Sequence, residues 1–166
     1  MKLIITSILI FLLYHFANSQ SPKVEIYFLK SRLAPVENIA WPNYVVRHFV
    51  ATKNDLADSA FIHDSEILAY DTTQKIIHIT GNAALKISEL EPPIPDGIQF
   101  VLTVDKEPVL AGYFINRSTS EPVVSYMIMN RKDTLCHIDR LLPGVEIDDR
   151  KNNTLVDAFR FTNRLR

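Results

Sequence analysis

The stretch Ile98-Gln99-Phe100-Val101-Leu102-Thr103-Val104, Asp105-Lys106-Glu107-Pro108, Val109-Leu110-Ala111-Gly112-Tyr113-Phe114-Ile115 decides the fold. Two runs rich in β-branched and aromatic residues flank a polar, proline-bearing turn, the pattern of a β-hairpin. Upstream of it, Gly81-Asn82 closes a β pattern and Asn82 is suited to cap a helix. From there the apolar spacing changes. Ala83, Ala84, Ile87 and Leu90 recur three or four apart while Lys86, Ser88 and Glu89 are polar, which predicts a short amphipathic helix. Pro92-Pro93 stops it, because the residue before a proline avoids helical backbone angles.

Further strands surround this centre. Val24, Ile26 and Phe28 alternate with Glu25, Tyr27 and Leu29, and Ile67–Tyr70 and Lys75–Thr80 are joined by the turn residues Asp71-Thr72-Thr73-Gln74. Tyr44–Ala51, Val123–Met129 and Leu135–Leu141 complete the β-rich segments, and Asn54 is placed to cap a short turn through Asp58. Ser31–Asn43, with Pro35 and Pro42, reads as a long connection, and Leu155–Phe161 as a closing strand in preference to a short helix. Strands outnumber helices and short turns join most of them. The expectation is α+β: a mainly antiparallel sheet with one principal amphipathic helix packed on one face.

The first nineteen residues stand apart. Met1-Lys2 precedes a nearly unbroken apolar run from Leu3 to Phe16, and Ala17-Asn18-Ser19 follows, with small side chains at positions −3 and −1 of a cleavage site. That is the pattern of a cleavable export signal over residues 1–19. The run is shorter than the roughly 20 apolar residues that a membrane-spanning helix needs. Gln20 follows the site where a lipoprotein would carry a cysteine. Residues 20–166 then form a single domain, in which no later stretch is long and apolar enough to cross a bilayer. Cys136 is the one cysteine, so no disulfide can form within the chain. Small secreted eukaryotic domains usually rely on disulfides, which points this chain toward a bacterial periplasm or cell exterior. On that reading the sequons at Asn116 and Asn152 are chance matches. Lys and Arg number 18 against 19 Asp and Glu, and no basic stripe is present, which argues against nucleic acid as a partner.

The order of a short turn at Asn54–Ala60, a strand, the helix from Gly81 to Leu90, and the hairpin Phe100–Gly112 resembles the head subdomain of the first periplasmic domain of the SecD/SecDF preprotein translocation proteins. The leading strand Val24–Leu29 resembles the start of the same region. The likeness spans residues 52–130 and implies a freestanding head-like module, not a translocase, because the transmembrane helices of that family are missing. The resemblance supplies no catalytic motif.

Local chemistry is sparse. Cys136 and His137 are adjacent, and on a strand adjacent residues point to opposite faces, so they do not form a nucleophile–base pair. Cys136 reads as a small buried hydrophobe. His48, His63, His78 and His137 have no tight ligand spacing, so no metal or other cofactor is expected; His78 reads as solvent-facing. No Gly-x-Ser-x-Gly elbow or glycine-rich phosphate loop occurs, and Asp148-Asp149-Arg150-Lys151 lacks calcium-loop spacing. The remaining candidate is a surface: Tyr113, Asn116, Ser118 and Ser120 place an aromatic beside a hydroxyl-rich loop at a strand end. The simpler reading has Tyr113 and Phe114 straddling the sheet, one packed and one half-exposed. The expected function is a non-catalytic exported module that binds an envelope protein or peptide. The alternatives are a small exported hydrolase with a site assembled from scattered residues, and a small-ligand carrier.

Overall fold

The computed structural model describes residues 21–35, 37–41, 44–93, 97–114, 123–124, 128–129, 135–137 and 149–166, with side chains described for 21–35, 49–93, 97–114 and 153–166. Its strands are β1 (Val24–Phe28), β2 (Glu37–Trp41), β3 (Tyr44–His48), β4 (Ile67–Asp71), β5 (Ile76–Ile79), β6 (Ile98–Val104), β7 (Glu107–Phe114), β8 (Val123–Val124), β9 (Ile128–Met129) and β10 (Leu135–His137). Two helices accompany them, α1 (Gly81–Ser88) and α2 (Asp149–Phe161). One sheet has the order β1-β6-β7-β9-β10-β5-β4 and a second the order β2-β3-β8. All pairings are antiparallel except β7 with β9 and β3 with β8. The class is α+β, mainly sheet, as the residue pattern implies.

The β6–β7 hairpin is the backbone of this architecture. Its turn is tighter than the sequence suggests: Asp105 and Lys106 alone reverse the chain, with φ of 52° and 65°. Positive φ at both central residues is the geometry that matches the right-handed twist of the flanking strands. Glu107 and Pro108 therefore belong to β7. Pro108 is accommodated where the register shifts between Leu102/Leu110 and Thr103/Pro108. The extra residue there, Val109, lets both Val109 and Leu110 reach the same core.

The strands β1, β6 and β7 are covered on both faces. On one face Val24, Ile26, Phe100, Leu102 and Phe114 pack with Ile62, Ala83, Ile87, Leu155 and Phe159 from the surrounding loops and helices. On the other, Tyr27, Val101 and Tyr113 pack with Phe49, Ala51 and Leu56. Tyr113 and Phe114 do straddle the sheet, but neither is half-exposed, since both are buried. Two-sided burial explains why these strands read as continuous apolar runs.

Several local expectations are corrected. Residues 155–161 form the end of α2, not a strand: Leu155, Ala158 and Phe159 are buried at helical spacing while Phe161 is exposed. Among the described residues there are thus two α-helices, of which α2 is the longer. Thr80, not Asn82, caps α1, its hydroxyl accepting from the Ala83 N–H at 3.3 Å. The short 3₁₀ turn Lys53–Asp55 is capped at Thr52, whose N–H and hydroxyl donate to the Asp55 carboxylate at 2.8 and 2.7 Å. The connection between Ser31 and Asn43 contains β2, and His78 is half-buried on β5. Residues 1–20 lie outside the described residues. Among the described residues no helix is long and apolar enough to cross a membrane.

Candidate functional site

A cleft opens where β1 and β6 part. Their register runs from Val24↔Val104 to Phe28↔Phe100 and stops, while β6 continues to pair with β7 as far as Ile98↔Phe114. Beyond the fork, β1 turns aside toward the 3₁₀ turn: Leu29 bridges Leu56 and the Lys30 N–H donates to the Asp55 carbonyl at 2.9 Å. The space between the separated strands is a cleft of about 340 Å³. Phe28, Leu29 and Ile98, all half-buried, form its apolar wall, and Ser31 and Arg32 form the exposed rim. Gly97 closes one end with φ 67°, its N–H donating to the Pro93 carbonyl at 2.8 Å. A side chain at that left-handed position would be strained.

Gln99 holds the fork in place. Its Oε1 accepts from the Leu33 N–H at 2.8 Å, and its Nε2 donates to the Leu33 carbonyl at 2.9 Å. The side-chain amide thus replaces a strand residue and pins the chain that forms the rim. Nε2 also donates to the Tyr113 hydroxyl at 3.2 Å. Buried Gln99 has donor and acceptor both engaged, as a polar group removed from water requires. Phe28 of the cleft wall belongs to an aromatic cluster: it stacks on Phe61 at 4.3 Å and meets Phe114 edge-on at 6.0 Å, and Phe100 lies 4.3 Å from Phe114. Such ring pairs add to the stabilisation that burial of Phe28 supplies.

A second polar group lies at the β1 edge. The Tyr27 hydroxyl donates to Glu25 Oε2 at 2.9 Å, and His63 Nδ1 lies 3.8 Å from Glu25 Oε1. Burial, reinforced by the neighbouring Glu25 carboxylate, pushes the Tyr27 hydroxyl up to about 12. The phenol therefore stays protonated near neutral pH and serves as a hydrogen-bond donor, not a nucleophile. His63 also donates its backbone N–H to Glu66 at 3.0 Å, and Lys86 lies 2.8 Å from the Glu66 carboxylate. Burial works to raise the Glu66 carboxyl, but Lys86 and the His63 N–H outweigh it and hold it below the usual range. This chain of contacts ties the loop before β4 to β1 and α1. Among the described residues no three His, Cys, Asp or Glu side chains gather closely enough to hold a metal ion.

Of the residues expected to form a binding surface, Tyr113 is buried, with its ring against Phe49 at 5.3 Å and its hydroxyl bonded to Gln99. It reaches the cleft through Gln99. Asn116, Ser118 and Ser120 lie outside the described residues, as do the side chains of Cys136 and His137, whose backbone belongs to β10. The cleft residues Phe28, Leu29, Ser31 and Ile98 were not recognisable as a site from sequence. Comparison of the chain with protein-family models, curated proteins and solved structures finds no match in any of the three.

Proposed function

We propose that this chain is an exported, non-catalytic module of the bacterial envelope that binds a protein or peptide in the fork between β1 and β6. The observation that carries the reading is the cleft of about 340 Å³ with an apolar wall at Phe28, Leu29 and Ile98 and a polar rim at Ser31 and Arg32. That is at the small end of the roughly 300–1,000 Å³ range of ligand pockets, suited to a side chain or two of an extended segment. The Gln99 bonds to Leu33 supply preorganisation, so little ordering entropy is lost on binding. The export-signal pattern of residues 1–19 and the resemblance to the SecD/SecDF head support an envelope location.

The test uses residues 20–166, with Ser31→Trp to fill the cleft from its exposed rim. Cross-linking capture from bacterial envelope extract is expected to recover a partner with the parent chain and to lose it with Ser31→Trp, the two circular-dichroism spectra being alike. Equal recovery by both proteins overturns the cleft as the site. Recovery of no partner, together with hydrolytic turnover abolished by one substitution, overturns the binding function in favour of an enzyme.

A further inference from the structure

β1 and β4 are the two outer strands of the large sheet, yet the loop that leads into β4 first crosses the outer side of β1. There the Ile26 N–H donates to the Ile62 carbonyl at 2.9 Å and the Phe61 N–H to the Ile26 carbonyl at 2.8 Å. Only His63 and the 3₁₀ turn Asp64–Glu66 then separate this bridge from Ile67, the first residue of β4. Among the described residues no backbone bond joins β1 to β4 directly. Two side chains link them instead. Asp64 Oδ1 accepts from the Val24 N–H of β1 at 2.8 Å and from Arg164 Nη2 at 2.7 Å. Arg164 Nη1 donates to the Ile67 carbonyl of β4 at 2.8 Å and to the Asp64 carbonyl at 3.1 Å. The end of α2 aims this guanidinium. Asn163 takes a left-handed φ of 55°, its N–H donates to the Arg160 carbonyl at 3.1 Å, and the Arg164 N–H donates to the Phe159 carbonyl at 2.8 Å. That is a Schellman-type helix end, and the guanidinium packs 5.4 Å over the Phe159 ring as its closing contact.

We propose that Asp64 and Arg164 form a clasp across a seam between β1 and the loop Phe61–Glu66, and that releasing the clasp lets this loop lift from β1 while β1 stays on β6. Asp64 is the hook, since its carboxylate holds the Val24 N–H across the seam. Arg164 is the positioning residue: its fork fixes both the carbonyl and the carboxylate of Asp64 by charge-assisted bonds. The other ties of the loop do not cross the seam. Lys86 Nζ donates to Glu66 Oε2 and the Thr80 N–H to the Glu66 carbonyl, both at the α1 side. Ile62 is buried in one core with Val24, Ile26, Ile67 and Phe159, so lifting the loop uncovers apolar surface, and the hydrophobic effect returns it. The seam is therefore a local opening unit with a side-chain latch. It lies at the Val24 end of β1, away from the cleft at Phe28, and does not depend on what the cleft binds.

Native-state amide exchange reads the seam directly, because the amides of β1 alternate in direction. Those of Val24 and Ile26 face the loop, while that of Tyr27 faces β6, where Tyr27 pairs with Val101. In Arg164→Leu and in Asp64→Ala, exchange at Val24 and Ile26 is expected to rise on the order of tenfold relative to Tyr27, the scale of one lost charged hydrogen bond. Arg164→Lys, which keeps the charge without the fork, is expected to give a smaller rise in the same ratio. The double variant Asp64→Ala/Arg164→Leu is expected to match Asp64→Ala alone, since the two side chains act as one device. An unchanged ratio in Arg164→Leu overturns the proposal; where that variant does not fold, an unchanged ratio in Arg164→Lys overturns it. Equal acceleration at Val24, Ile26 and Tyr27 also overturns it, because β1 then leaves β6 with the loop. Additive effects of the two substitutions overturn it by showing that Arg164 does not act through Asp64.

Discussion

Replacing Gln99 by leucine tests the physical link between the core and the cleft. The substitution keeps the approximate volume but removes the amide that bonds to the Leu33 N–H and carbonyl and to the Tyr113 hydroxyl. Three polar groups lose that partner at once. A buried group left unpaired costs about 1–3 kcal/mol, and the Leu33 groups are part-buried, so the lower figure applies to them. The two Leu33 groups come to about 2 kcal/mol, offset by about 1 kcal/mol because leucine is cheaper to bury than an amide. The net expectation is a loss of about 1 kcal/mol, read as a lower urea midpoint at unchanged slope. Amide exchange at Leu33 is expected to accelerate more than exchange at Phe100 in the central strand, because the rim is released before the sheet opens. Any partner captured through the cleft is expected to bind more weakly, since its rim is no longer preorganised. A change of stability within about 0.5 kcal/mol, the range of ordinary surface substitutions, refutes the reasoning, as does a Leu33 amide still protected in the variant.

Other perturbations probe the frame. Arg164→Ala removes the bonds to Asp64 and Ile67 and the stacking of the guanidinium over Phe159 at 5.4 Å. Because the Asp64 side chain is 32% exposed, the loss falls toward the lower end of buried-pair values, about 3 kcal/mol, read as a melting temperature lower by about 10 °C. Lys106→Gly relieves the left-handed backbone at φ 65° and is expected to raise stability by about 0.5–1 kcal/mol in urea denaturation. Tyr27 has a folded-state value raised from 10.0 to about 12, so its contribution is complete below pH 10 and disappears as pH rises through 12. Tyr27→Phe is accordingly expected to flatten the stability profile between those values, measured by urea midpoints at successive pH.

The legible parts of the fold were those in which local spacing and final burial coincide. The hairpin β6–β7 could be read because both strands are apolar and consecutive, and α1 because Ala83 and Ile87 face the core while Leu85, between them, is 62% exposed. The last helix could not be read in the same way. Taken together, Leu155, Phe159 and Phe161 do not settle into helical spacing. In the structure Phe161 is 59% exposed, and Ala158 completes the stripe instead. β2 was hidden for a different reason. Pro35 and Pro42 bracket a run too short to outweigh them, although a proline beside a strand limits its ends and not its interior.

The cleft was illegible for a physical reason that extends beyond this chain. It comes from two strands ceasing to pair, and the residue that keeps them apart, Gln99, acts on a backbone 66 positions away. In sequence, Gln99 looks like the polar member of an alternating strand that ought to face water. In the structure it is buried, because that face of β6 is also covered and its amide finds a second backbone to bond. A polar residue inside an apolar strand run therefore has two meanings, a solvated face or a long-range clamp, and spacing alone does not separate them. Coverage of the second face separates them, and here it is supplied by Phe49, Ala51 and Leu56, residues outside both strands of the fork. The site is a consequence of two-sided burial: once β6 is enclosed, its one amide side chain must find partners, and finding them in Leu33 is what holds the fork open.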